Sequence, residues 1–136
     1  MAERPSDEWQ RKANEQVADI ARGVLSPADA YAEQLWPRSL RIGTDAALAT
    51  FERELHALRA PADADILDVV QRLVLTLNEI NQQHVRAGLT GYETDEREQL
   101  CDYIDASLEE SGFDLAALEV RNGIGRGEIA DRWRNW

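Results

Sequence analysis

Nine carboxylates crowd residues 93 to 114. They are Glu93, Asp95, Glu96, Glu98, Asp102, Asp105, Glu109, Glu110 and Asp114, opposed within that stretch only by Arg97. Glu98, Asp102, Asp105 and Glu109 follow one another at four, three and four residues, so on a helix they line one face. Unpaired like charges at that spacing repel by roughly a few tenths of a kcal/mol per pair. Acids in the first turn recover part of that cost from the helix dipole. Such a row admits three readings: a face that meets only solvent, a docking surface for a basic partner, and a cation site. A calcium site needs a loop of alternating oxygen ligands, and the row contains none.

Other residues that could do chemistry fare less well. A di-iron or di-manganese bundle requires two Glu-x-x-His pairs and two further glutamates. The chain has only His56 and His84, and neither follows a glutamate by three residues. Glu52 and His56, four apart, could supply at most two ligands. His84 is expected to be a hydrogen-bonded or partly exposed histidine rather than a ligand. Cys101 falls on an apolar helical face, where a free cysteine behaves as a small buried hydrophobe, and acidic neighbours would raise its pKa. The glycines of 123–127 invite a phosphate-loop reading, with Arg121 and Arg126 beside them, yet a dinucleotide fingerprint needs a preceding strand and a third spaced glycine. Residues 121–127 therefore read as a Gly-rich connector. Trp133 and Trp136 alternate with Arg132 and Arg134. The first reading is a tail helix that folds its tryptophans onto the bundle and its arginines onto the acidic row. The second is an aromatic anchor for a partner.

Composition limits the partners. The chain has 136 residues, 43% hydrophobic and 30% charged, with a formal net charge of −11 and a pI near 4.6. Residues 61–120 hold fourteen acids against Arg72, Arg86 and Arg97, which accounts for the whole imbalance. Such a field repels phosphate backbones and anionic lipid and attracts a basic protein. No nucleic acid and no membrane are expected as partners. One cysteine excludes an internal disulfide and a cysteine-built zinc site. No cofactor or metal is expected. Residues 1–7 are polar and acidic, unlike a secretory signal, which gives the expectation of a cytoplasmic protein.

The elements that must position these residues all show helical spacing, and no stretch alternates with period two. After six residues expected to be flexible, Ser6 or Asp7 caps a first helix whose stripe is Trp9, Ala13, Val17, Ile20 and Val24. Ser26-Pro27 opens a short second helix that Pro37 stops. Residues 37–44 read as a polar connector. Thr44 and Asp45 start a third helix with Leu48, Phe51, Leu55 and Leu58 on its seam. The fourth, from about Asp63 to Gln83, is apolar over a wide face (Ile66, Val69, Val70, Leu73, Leu77 and Ile80), as befits a central helix. Thr94 caps a fifth bearing Leu100, Cys101, Ile104 and Leu108, with Gly112 as terminator, and Asp114 caps a short sixth turn. The expected fold is an all-α single domain over residues 1–136: a bundle of about five helices with a short C-terminal helical tail.

Three segments, LTLNEIN over 75–81, YETDEREQLCDYI over 92–104 and EIADRWRNW over 128–136, together resemble small bacterial helical proteins with an LN.IN…ETDERE.LC..I…WR.W pattern. Some proteins of that kind look like immunity proteins of bacterial toxin systems. The resemblance covers roughly the C-terminal half and transfers no catalytic residue. The expectation is a non-enzymatic acidic domain that binds a basic protein through Glu93, Asp95, Glu96, Glu98, Asp102, Asp105, Glu109, Trp133 and Trp136. The alternatives are a metal-dependent hydrolase using the cluster of 93–114, and a self-associating helical protein.

Overall fold

In a computed structural model that describes residues 2–136, two long helices form the middle of an all-α bundle. They are α3 (Arg38–Ala57) and α4 (Asp63–Arg86), joined by a short link containing Pro61. Around them lie α1 (Pro5–Ala21), the one-turn α2 (Ala32–Leu35), α5 (Thr94–Glu110) and α6 (Leu115–Arg121), with a single 3₁₀ turn at Pro27–Asp29. No strand occurs among the described residues. The expected all-α bundle is thus the architecture found.

The seam of α3 is Leu40, Thr44, Ala47, Leu48, Phe51 and Leu55, a three- and four-residue spacing that turns one stripe inward. It meets Ile66, Val69, Val70, Leu73, Val74 and Leu77 of α4, all buried. The central helix is α3 rather than α4, because α3 packs extensively against both α1 and α4. Of the wide face expected on α4 only Ile80 is half-buried rather than buried, and beside that face Leu67 is half-buried and Leu75 exposed.

The polar connector expected at 37–44 is instead the first two turns of α3. Pro37 provides the N-cap backbone, and Arg41 and Thr44 are buried polar residues whose groups find distant partners. Arg41 donates to the Trp36 carbonyl (2.7 Å), to Gln10 Oε1 (2.9 Å) and to Glu33 (3.1 Å). Satisfied in this way, a buried guanidinium costs the helix little, whereas an unpaired one would break it.

The N-terminus differs from expectation as well. Met1 lies outside the described residues, but residues 2–6 are fixed. Pro5 takes the first helical position, and the Ser6 hydroxyl donates to Asp45 Oδ1 at 2.9 Å, so Ser6 lies inside the helix and does not cap it. Arg4 forms ion pairs with Glu52 (2.7 Å) and Asp45 (3.2 Å). Only Trp9 and Ala13 of the expected stripe are buried. Val17 and Val24 are exposed, so the distal half of α1 extends past its neighbours. Gln16, on that half, accepts from the backbone N–H groups of Tyr31 (3.0 Å) and Ala32 (2.9 Å), and thereby caps α2.

Helix α5 starts one residue earlier than expected, with Glu93 at the N-cap position and Thr94 as its first residue. Glu96 Oε1 accepts from the Glu93 N–H at 3.4 Å. Gly112, at φ +91°, adopts the left-handed conformation that ends it. Asp114 Oδ1 then accepts from the Ala117 N–H (3.1 Å) and caps α6, as expected. The tail after α6 forms a chain of turns with no helix. It packs nonetheless: Ile129, Ala130 and Trp136 are buried. Asn78 of α4 holds it by donating to the Trp133 carbonyl (2.7 Å) and accepting from the Asn135 N–H (3.0 Å).

Candidate functional site: the acidic face of α5

Helix α5 turns Leu100, Tyr103, Ile104, Ser107 and Leu108 into the core, which leaves most of its carboxylates outside. Glu93, Asp95, Glu98, Asp102 and Glu109 are exposed, and none forms an ion pair among the described residues. Two residues of the expected face behave differently. Glu96 is only 2% exposed, since it lies four and seven residues before Leu100 and Tyr103 and shares their stripe. Burial raises its pKa above the ordinary carboxylate range. Asp105 is half-buried against α6 and the tail. Desolvation, then the negative charges of Glu119, Asp102, Glu109 and Asp131, push it up to about 6.

Arg97, the one base in the row, makes no ion pair among the described residues, and its Nε is buried without a hydrogen-bond partner. The tail arginines do not meet the row either. Arg134 pairs with Asp131 (2.8 Å) and donates to the Trp136 carbonyl (2.7 Å), and Arg132 lies over the Trp133 ring at 5.8 Å. The tryptophans do fold onto the bundle, although on turns rather than a helix. Trp136 is buried, with its ring 5.6 Å from that of Tyr92 in an edge-on arrangement, and Trp133 is half-buried. As an anchor for a partner, Trp136 would first have to leave the core.

Glu3, just before α1, and Glu8 within it extend the acidic face. One groove, of about 380 Å³, runs between α1 and α5 and is lined by Glu3, Arg4, Glu8, Gln99, Asp102 and Tyr103 among others. A second, of about 490 Å³, opens at the start of α5 and adds Trp9, Lys12, Tyr31, Trp36, Asp95 and Glu96. Glu3 and Glu8 both pair with the exposed Arg11. Neither glutamate was recognisable from sequence as belonging to this face, because only the packing of α1 on α5 brings them there. That packing is fixed by Trp9, whose indole N–H donates to Gln99 Oε1 at 2.8 Å.

The remaining candidates are structural. Glu52 accepts from Arg4 and from the Tyr103 hydroxyl (2.6 Å), and these bonds, the Arg4 one foremost, hold its carboxyl below the ordinary range. His84 Nδ1 lies 2.8 Å from the Ile80 carbonyl, so that nitrogen carries the proton, and Nε2 lies 2.7 Å from the Ser39 hydroxyl. It is the hydrogen-bonded histidine expected. Cys101 is half-buried, and burial raises its thiol pKa. The Gly-rich connector is tied down. Gly127 donates its N–H to the buried Glu119 carboxylate at 2.6 Å, and Arg121 pairs with Asp63 at 2.9 Å. An internal carboxylate thus occupies a backbone N–H that an anion would need.

Among the described residues, no group of three or more His, Cys, Asp or Glu side chains could hold a metal ion. Among them, too, no helix is long and apolar enough to cross a membrane. Scanned against protein-family models, the chain gives no match, and searches of curated proteins and of solved structures give none either.

Proposed function

We propose that this chain is a non-enzymatic binding domain of the immunity type, whose α5 face takes up a basic protein. The observation that supports this reading is the set of exposed carboxylates at Glu93, Asp95, Glu98, Asp102 and Glu109, none in an ion pair among the described residues, beside Glu3 and Glu8, which share Arg11. A helix that served only to fill the core would gain stability from a lysine or arginine at these positions, since i,i+4 pairs of opposite sign stabilise and like pairs do not. Keeping them acidic serves to steer a cationic surface into contact and to favour it over other partners. Trp136 plays no part in that contact, and Asp105 and Glu96 contribute field rather than exposed surface.

The test is capture by the immobilised chain at low and at physiological ionic strength. A basic protein should be retained in stoichiometric amount at low salt and released as salt rises, since a Debye length of about 8 Å at physiological salt screens exposed charges. The double variant Glu98→Lys, Asp102→Lys should lose that protein while keeping the parent's helical spectrum. Capture of the same protein by both forms, or of no basic protein at low salt, would refute the proposal.

A further inference from the structure

The cleft at the start of α5 differs in kind from the rest of the acidic face. It measures about 490 Å³, within the range of small-ligand sites, and three aromatic residues stand around it, Trp9 and Trp36 buried and Tyr31 exposed. Trp9 and Trp36 lie nearly parallel, with ring centroids 6.2 Å apart and an interplanar angle of 9°, and make a rigid backing. Tyr31 stands edge-on to Trp36 at 6.2 Å and is 47% exposed, so its ring is the open aromatic surface of the group. Leu35 adds an apolar strip. Against these walls stand three carboxylates: Glu8 from α1 and Asp95 and Glu96 from the first turn of α5. Glu96 is almost wholly buried, yet the hydrogen bond it accepts comes from backbone, and no cationic side chain pairs with it among the described residues. Lys12 is the single cationic residue lining the cleft, and it forms no ion pair among the described residues. Buried carboxylate, acidic rim and aromatic wall converge from three separate elements.

We infer that this cleft receives an arginine side chain of the basic protein partner. The inference rests on the binding function proposed above and names the residue that enters. A guanidinium is flat, stacks on an aromatic face and presents N–H groups in its own plane to carboxylates. Tyr31 supplies the face and Asp95 the acceptor at the rim, while Glu8, paired with the exposed Arg11, contributes once it exchanges that partner for the incoming guanidinium. The methylene stem of arginine lies along Leu35 and the Trp36 edge, in the manner of long cationic side chains that bury their stems on apolar surface. A lysine ammonium is a compact, strongly hydrated charge and makes poorer use of the same walls. Burial raises the Glu96 carboxyl pKa, so an incoming cation also favours its ionised form, and uptake weakens as the solution is acidified.

The probe is a capped tripeptide, acetyl-Gly-Arg-Gly-amide, titrated into the full chain and followed by amide and indole NMR shifts. Its lysine and citrulline counterparts serve as controls. The arginine peptide should move the signals of residues 8, 12, 31, 36, 95 and 96 saturably. The lysine peptide should bind on the order of fivefold more weakly, and neutral citrulline should not bind. Tyr31→Ala and Asp95→Asn, both at exposed positions, should each weaken the arginine peptide by about fivefold or more with the fold intact. Glu79→Gln, an exposed change on α4 away from the cleft and from the acidic face, should bind the peptide within about twofold of the parent. Equal response to citrulline, an unaltered affinity in Tyr31→Ala and Asp95→Asn, or tighter binding of free arginine than of the capped peptide would overturn the assignment. Retention of the basic protein together with any of these results would remove the cleft while leaving the broader binding function in place. Failure of the parent chain to capture any basic protein at low salt would remove the function itself.

Discussion

The Tyr103 hydroxyl donates to Glu52 Oε1 at 2.6 Å while Arg4 grips the same carboxylate from the other side, with Nη2 2.7 Å from Oε2. One carboxylate on α3 thereby joins the start of α1 to the middle of α5, and so positions the two helices that form the acidic grooves. Replacing Arg4 with methionine should lower stability by about 1–3 kcal/mol, the usual worth of a hydrogen bond to a charged group, as read by urea denaturation at neutral pH. The bonds to Glu52 depress its pKa, so their contribution is present above the ordinary carboxylate range and fades as pH falls through the depressed value. The variant and the parent should therefore converge in stability under strongly acidic conditions.

Asp105 titrates in the opposite sense. Its pKa is raised from 3.8 to about 6, so its protonated form is favoured in the folded state. The associated stability is complete below the ordinary value and is lost as pH rises through about 6. Asp105→Asn should accordingly stabilise the protein at neutral pH by about 1 kcal/mol, a figure kept small by solvent screening at a half-buried site. Below the ordinary carboxylate range the gain should disappear. Paired denaturation curves on either side of this window measure it. A variant less stable than its parent at neutral pH would show that the carboxylate is held by favourable contacts instead.

Gly91 is buried, and a Cβ at that position would overlap Asn81 Oδ1. That same oxygen accepts the Tyr92 N–H at 2.8 Å, and the Tyr92 hydroxyl in turn meets Thr44 Oγ1 at 2.7 Å. Gly91→Ala should displace Asn81, leave the Tyr92 amide unpaired and cost about 1–3 kcal/mol. Gly88→Ala would make a useful contrast: at φ +76° it strains the backbone, but its Cβ would meet nothing within 4 Å. A smaller loss at Gly91 than at Gly88 would contradict the overlap.

Asn78 clamps the tail through both ends of its amide, so Asn78→Ala leaves the Trp133 carbonyl and the Asn135 N–H without their partner. The expected loss is about 2 kcal/mol. It should be accompanied by a change in tryptophan emission as Trp133 and Trp136 gain solvent. An unchanged emission spectrum would mean that the aromatic contact of Trp136 with Tyr92 holds the tail alone.

What could be read from the chain was whatever repeats locally. The apolar spacing of α4 and of the second half of α3, the glycine stop at Gly112 and the Asp114 cap were all legible, because each depends on neighbours within about a turn. The first turns of α3 were not legible, since Arg41 and Thr44 are helical residues only once Trp36, Gln10 and Tyr92 are there to receive them. Nor was the tail, whose order comes from Asn78, about fifty residues earlier in the chain. On the acidic face the sequence marks α5 correctly as the carrier, but counting charges hides direction. The spacing of Glu96 to Leu100 and Tyr103 held the signal that one of its acids points inward. The contribution of Glu3 and Glu8 had no sequence signal at all, because it arises only from docking two helices some ninety residues apart.

The hairpin of α3 and α4, joined by a few residues around Pro61, closes a short loop and buries the largest continuous apolar seam. The fastenings of α1 are of another order: Trp9 reaches Gln99, and Arg4 reaches Glu52. Closing long loops is entropically slower than closing short ones. The hairpin is thus the natural nucleus, and α1 and the tail dock onto it late in folding. In native-state hydrogen exchange the same hierarchy puts the most protected amides at the α3–α4 seam, and the surface that carries the acidic grooves opens first.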